Sequence, residues 1–343
     1  MKNSGITYQS NLFHALQRTA DLEKLLHTDI PGLIQLFREK PYQSFYIPKK
    51  NGGRRLIENP KPVLKEMLKR LNLLLQCSYL QFRPKCVYGF TIRKGSEKSR
   101  NIISNARRHV RKKFLLNIDL KEFFHSVKEN RVRQIFESKL GKKDPLLVLL
   151  LSKLVTLNGR LPMGSPTSPV ISNLALLDTD WELEALCSNL QLEYTRFADD
   201  LSFSSNQRIT TKDIQLLKQV IRYHGFEINR EKVKLYGPED TKWVTGLIVE
   251  ETVKLPPDYL LLLEKEIFRF KEFTLLHHKY KSGADEDKIK LIQSEIRGKW
   301  NFANMVIPGD EKLMELQLQM EYAFNPVEEY ESTNWLDMPY TFF

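Results

Sequence analysis

A chain of 343 residues that is 41% hydrophobic and 28% charged can bury a substantial core, a composition ordinary for a folded protein that argues against disorder. Its 53 Lys and Arg outnumber 42 Asp and Glu, and the net charge of +11 suits a polyanionic partner such as nucleic acid. Cys77, Cys86 and Cys187 make neither a CxxC pair nor an even disulfide framework, which argues for reduced thiols in a cytoplasmic compartment and against a sulfur-bound metal.

The start, Met1-Lys2-Asn3-Ser4-Gly5, lacks the apolar core of a signal peptide, and the apolar run Leu146–Leu151 is stopped by Lys153, so no membrane span is expected. No internal repeat, low-complexity tract or Pro/Gly/Ser-rich linker divides the chain. Two or three closely packed subdomains are expected at this length.

The first hundred residues are mainly helical in pattern. They are interrupted at Tyr46–Leu56 by two short strands around a turn at Asn51-Gly52-Gly53, a basic hairpin carrying Lys49, Lys50, Arg54 and Arg55. Apolar spacing predicts a helix over Pro62–Tyr79 and a second, strongly basic helix over Gly95–Arg111. Phe114–Ile118 is a short apolar run that ends on Asp119, a buried strand with a carboxylate at its exit.

Helices are expected over Lys128–Leu157 and Val170–Leu186, separated by a Gly/Pro/Ser-rich loop at Gly159–Pro169. Glu193–Phe203 alternates apolar and polar residues about Asp199-Asp200, the pattern of a hairpin that presents carboxylates at its turn. A helix follows at Thr211–His224, then a strand at Trp243–Val249. From Asp258 the patterns are helical, with a polar break near Ser282–Asp287.

Asp119, Asp199 and Asp200 are the candidate catalytic groups. Phosphoryl transfer from a nucleoside triphosphate needs Mg²⁺ more than covalent help, and two ions about 3.5–4 Å apart can share two or three short carboxylates. Taken alone, an Asp-Asp pair is also the composition of a solvated turn, and an Asp after a strand also serves as a helix N-cap.

Three segments in order give these residues a context. Asp119-Leu120-Lys121-Glu122-Phe123-Phe124, Leu161-Pro162-Met163-Gly164-Ser165-Pro166-Thr167-Ser168-Pro169 and Phe197-Ala198-Asp199-Asp200 resemble the Asp-x-x-x-Phe-Phe, Leu-Pro-Gln-Gly-x-Pro-x-Ser-Pro and aromatic-x-Asp-Asp motifs of reverse transcriptases. Gly225–Asn229 with Lys232 is similar to the next palm motif, and Ile47–Arg55 to the fingers hairpin. Two positions depart from the pattern: Phe197 replaces the usual Tyr, and Met163 stands where Gln is usual.

The resemblance implies an α+β right-hand polymerase fold. Residues 1–112 would be an N-terminal extension and fingers, 113–240 a palm with inserted helices at about 129–158, and 241–343 a thumb and RNA-binding region. It implies that Asp119 and Asp199 bind two Mg²⁺ ions with the Leu120 carbonyl, and that Asp200 supports the primer-side ion. It further implies that Lys50 and Arg55 clamp the triphosphate, that Met163 and Gly164 line the nucleotide site, and that Lys232 donates a proton to pyrophosphate. Phe124 would lie under the sugar and reject a 2′-hydroxyl by volume. On its residues alone Phe124 is equally a core aromatic, and Lys232 equally a surface lysine.

Asn105-Ala106-Arg107-Arg108-His109 and Val244-Thr245-Gly246 are similar to two signatures of retron reverse transcriptases. Asn105 and His109 are four apart, on one face of a helix, with Arg107 and Arg108 free to meet phosphates; a structural Asn–His pair is the alternative. The likeness implies that Asn105, Arg107, Arg108, His109, Val244, Thr245 and Gly246 bind a cognate noncoding RNA. It also implies deoxynucleotide substrates, priming from an RNA 2′-hydroxyl to give branched RNA–DNA, and a separately encoded effector in phage defence. The competing readings are an intron-type or other bacterial reverse transcriptase, and a catalytically silent RNA-binding scaffold.

Overall fold

The computed structural model describes residues 3–48, 52–280 and 286–325. The chain divides into two compact units, Met1–Thr252 and Val253–Phe343. Among the described residues no helix is long and apolar enough to cross a membrane.

In the first unit, helices Asn3–Ala15, Thr19–Leu26 and Ile30–Arg38 precede a hairpin of β1 (Tyr42–Pro48) and β2 (Arg54–Pro60). The strands pair antiparallel from Tyr42 with Pro60 to Pro48 with Arg54, longer than the sequence pattern suggested. β1 is exposed along nearly its whole length, whereas β2 buries Glu58 and Pro60. Lys49, Lys50 and Asn51 at its tip lie outside the described residues. Helix Pro62–Tyr79 has the expected bounds. Pro62 sits in its first turn, where no N–H is needed, and Leu64, Leu68, Leu71 and Leu75 recur at helical spacing and are buried in the main core.

The basic helix expected over Gly95–Arg111 is mostly absent. Only Ile102–Ala106 is α-helical, followed by a 3₁₀ turn at Arg107–His109. Asn101 fixes the start: its side chain accepts from Ile103 N and Ser104 N while Ser104 returns a bond to its backbone. Ahead of it Glu97 is held by Arg83 and Arg100, at 2.6 and 3.0 Å, which anchors the segment as a loop.

A four-stranded antiparallel sheet in the order β4-β5-β3-β6 is built from β3 (Phe114–Asp119), β4 (Glu193–Phe197), β5 (Asp200–Ser205) and β6 (Lys234–Tyr236). Leu116 and Ile118 of β3 with Tyr194, Leu201 and Phe203 of the β4–β5 hairpin join the same core as helix Pro62–Tyr79. The expected helical stretch after Lys128 is split into Glu129–Gln134, a π turn at Ile135–Lys139, and Pro145–Val155, which Asp144 caps. Helices Ser168–Ala175 and Leu177–Asn189 replace the single predicted Val170–Leu186.

The strand expected at Trp243–Val249 is a tight hairpin, β7 (Trp243–Val244) and β8 (Leu247–Val249). Its turn residues Thr245 and Gly246 have φ of 48° and 82°, the signs of a type I′ turn between the paired Val244 and Leu247. In the second unit, helices Tyr259–Tyr280, Glu286–Val306 and Glu311–Phe324 bury Leu263, Ile267, Ile296, Ala303, Leu313 and Leu316.

Candidate active site

The sheet register brings the three candidate aspartates together. Asp119, the last residue of β3, pairs with Asp200, the first of β5, and Asp200 also closes the β4–β5 hairpin opposite Phe197. Asp199 therefore occupies the two-residue turn with Ala198, whose φ of 58° is left-handed. Leu120 N donates to Asp199 O at 3.1 Å, tying the exit of β3 to this turn. Leu120 bridges Ile228, and Asn229 N donates to Asp119 O at 2.9 Å, which brings Asn229 and Lys232 to the same corner.

There the Lys232 ammonium lies 2.8 Å from Asp119 Oδ2, and Asn229 Nδ2 donates to Oδ1 at 3.3 Å. Partial burial, followed by the neighbouring Asp199 and Asp119 charges, pushes Asp200 up to about 7. Asp199 is raised by burial and by Asp119, against opposing attraction from Lys232 and Arg55. Burial disfavours the Lys232 ammonium, but the three carboxylates outweigh it and raise its pKa. At neutral pH this lysine is a proton carrier beside a crowded acidic cluster.

Such mutual repulsion is relieved by a divalent cation, so the donor set fits one. Among the described residues no three His, Cys, Asp or Glu side chains are so placed that they could hold an ion by themselves. Two or three open carboxylates are the set suited to an ion that completes its shell with water and substrate phosphates.

Phe124 is half-buried one turn beyond Asp119, packed against Phe123 and Phe90 with ring centroids 5.3 and 5.8 Å away. Arg55 is exposed on β2, with its charge felt at Asp199. Lys50 lies outside the described residues. Met163 and Gly164 clasp β2: Glu58 N donates to Met163 O at 2.7 Å, and a Cβ on Gly164, at φ 129°, would lie 2.8 Å from Glu58 O.

Glu58 was not singled out from the sequence. Its buried carboxylate accepts from both Arg160 terminal nitrogens at 2.9 and 3.0 Å and lies 3.2 Å from His125 Nε2, so one acid joins the hairpin, the Leu161–Pro169 loop and the Phe124 turn. A lone acid on a basic hairpin was the available signal. Arg196, directly before Phe197-Ala198-Asp199-Asp200, was also missed and is fully buried.

The placement of Asn105 and His109 corrects the expectation that they face RNA. Both are buried, and His109 bridges Ser204 Oγ and Thr195 Oγ1 at 2.7 Å each, pinning the 3₁₀ turn to β5 and β4. The helix ends at Ala106, so the four-residue spacing does not put them on a shared exposed face. Arg107 is exposed, while Arg108 pairs with Glu193 at 2.6 Å. Val244 is buried, Gly246 exposed, and Thr245 Oγ1 reaches Ile102 O, three residues before Asn105, at 3.5 Å.

The reverse transcriptase (RNA-dependent DNA polymerase) family matches residues 47–254, more than half of the chain. The chain belongs to this family. Its α+β architecture is accordingly that of a polymerase.

Among curated proteins, this chain is 33% identical to the retron Mx65 reverse transcriptase of Myxococcus xanthus over 64% of this chain and 53% of that one. It is 35% identical to the retron Ec86 reverse transcriptase of Escherichia coli over 46% and 49%. The chain thus spans about half the length of these two relatives. Among solved structures, telomerase from Candida albicans is similar at 11% identity and a TM-score of 0.48, covering 84% of this chain and 64% of that one.

Proposed function

We propose that this reverse transcriptase is an RNA-directed DNA polymerase of the retron type, with residues 1–112 as extension and fingers, 113–240 as palm and 241–343 as thumb. The observation that carries the polymerase reading is the register that sets Asp119 opposite Asp200 with Asp199 in the adjoining turn. Asp119 and Asp199, with the Leu120 carbonyl, would hold two Mg²⁺ ions, and Asp200 would support them on the primer side. Bound there, the ions neutralise the triphosphate and make the primer hydroxyl more acidic.

Arg55 and Lys50 bind the triphosphate, and a planar guanidinium suits its oxygens. Phe124, backed by Phe90 and Phe123, excludes a 2′-hydroxyl. Met163 and Gly164 line the nucleotide site from the loop anchored on Glu58. Lys232, kept charged by the aspartates, has the proton that departing pyrophosphate requires.

The retron assignment is supported by the relatives and by the two retron-like motifs at Asn105–His109 and Val244–Gly246. In this reading the protein binds a cognate noncoding RNA, primes from a 2′-hydroxyl of that RNA, and makes branched RNA–DNA for phage defence with a separate effector, in the cytoplasm. Purification from its native locus, with sequencing of bound nucleic acid before and after debranching, tests it. Recovery of a covalent RNA–DNA molecule is expected. Unstructured cellular RNA without a covalent product would reject the retron assignment and leave the polymerase reading standing.

A further inference from the structure

Behind the carboxylate turn lies a buried polar network that the proposed chemistry does not use directly. Arg196, with no exposed surface, donates through Nε and Nη2 to Asp180 at 2.8 and 2.6 Å. Its remaining nitrogen, Nη1, donates to Asn173 Oδ1 and to the carbonyl of Ala198, each at 3.0 Å. Ala198 immediately precedes Asp199 and holds the left-handed conformation that gives the turn its shape.

Asn173, equally buried, turns its amide nitrogen the other way. Nδ2 donates to Gly89 O and Phe90 O, both at 3.1 Å. Gly89 abuts the turn: a Cβ there would lie 2.5 Å from Ala198 N and 3.1 Å from Phe197 C. Phe90 is the aromatic ring packed on Phe124. One amide therefore has its acceptor on the arginine that holds the carboxylate turn and its donors on the segment that backs the sugar-facing aromatic.

We propose that Asn173 is a positioning residue that fixes the spacing between the Asp199 turn and the Phe90–Phe124 wall, acting through Arg196 on one side and Gly89–Phe90 on the other. A polymerase of this kind must hold metal-bound phosphates and the sugar in one frame, and both contacts pass through this side chain. Asp180 supplies the countercharge that lets Arg196 stay buried. A neutral amide with donors and an acceptor on opposite sides is the group that can serve both neighbours at once. The inference rests on the polymerase reading above.

The test uses the full chain with Asn173→Ala and Gly89→Ala, the second pressing on the turn without removing a polar group. Thermal melting in EDTA reports folding, Mn²⁺ binding by electron paramagnetic resonance reports the carboxylate turn, and ribonucleotide against deoxynucleotide incorporation reports the Phe124 wall. Folded variants should bind Mn²⁺ about tenfold more weakly and use ribonucleotides about tenfold more readily relative to deoxynucleotides, as expected for a displacement of a fraction of an ångström.

Folded variants matching the wild type in both readouts would overturn the proposal, and failure of both to fold would assign Asn173 to core stability and overturn it too. If the wild type neither bound Mn²⁺ nor incorporated deoxynucleotides, the polymerase reading itself would fall. Wild-type activity with unchanged variants would remove this inference alone.

Discussion

Asp200 stands directly opposite Asp119 across the β3–β5 ladder, two carboxylates at the one point where the strands turn apart. Burial, followed by the like charges of Asp199 and Asp119, holds Asp200 near pKa 7 against an ordinary value of 3.8. Between these values the folded protein keeps a proton that the unfolded chain has released. Without divalent ions, this contribution to stability should therefore diminish as pH rises from about 4 to about 7. Melting curves in EDTA should lose that slope in Asp200→Asn, and Mg²⁺ at pH 7.5 should raise the melting temperature of the wild type more than that of the variant. Identical pH profiles for the two proteins would contradict this.

Phe124 packs against Phe90 and Phe123, which back its ring. In Phe124→Val, relative use of ribonucleotides should rise about tenfold or more, while deoxynucleotide incorporation persists. Single-nucleotide extension with each substrate measures the ratio. An unchanged ratio would return Phe124 to the status of a packing aromatic.

His109 hydrogen-bonds through both ring nitrogens, and burial, followed by Arg108 and Lys112, pushes its pKa down to about 3. It is a neutral structural bridge. His109→Ala leaves a cavity and two buried hydroxyls without that partner, a loss of about 3 kcal/mol. RNA binding, initiation and extension should fall together with the folded fraction and recover together on cooling. The wild type should also lose this part of its stability as pH drops below 6.5, where the unfolded imidazole takes up a proton the native one excludes. That trend opposes the Asp200 slope, so each is read against its own variant. Selective loss of RNA binding at full stability would restore the direct-contact role.

Arg107 and Arg108 are adjacent but unequal. Arg108 is engaged by Glu193, whereas exposed Arg107 is the better placed of the two to meet a phosphate. Arg107→Ala should weaken RNA binding uniformly across sequences and reduce the slope of log affinity against log salt by about 1, with a smaller change for Arg108→Ala. Salt titrations by filter binding compare them.

Much of this arrangement was legible in the sequence, because the carboxylates sit where local signals are strong. A continuous apolar run ending in Asp119 and a period-two alternation about Asp199-Asp200 are both strand signals, and both became strands of one sheet. Helix Pro62–Tyr79 was bounded by a proline and a clean apolar spacing. What failed was decided at long range or by a single side chain. Asn101 starts the helix that Gly95 was expected to begin, and Glu97 is captured by arginines 14 and 3 residues away. The RNA-binding role that the family likeness implied for His109 could not be weighed against its actual partners, Ser204 and Thr195, which lie 95 and 86 residues downstream. Glu58 and Arg160 meet across 102 residues, and no local pattern announces such a pair.

The most direct test of the central claim is extension of a deoxynucleotide primer on an RNA template with Mg²⁺, comparing the wild type with the double variant Asp199→Asn, Asp200→Asn, alongside RNA binding by both. The wild type should incorporate deoxynucleotides, and the double variant should lose incorporation while binding the same RNA. Undiminished synthesis by the folded double variant would contradict a catalytic role for this turn.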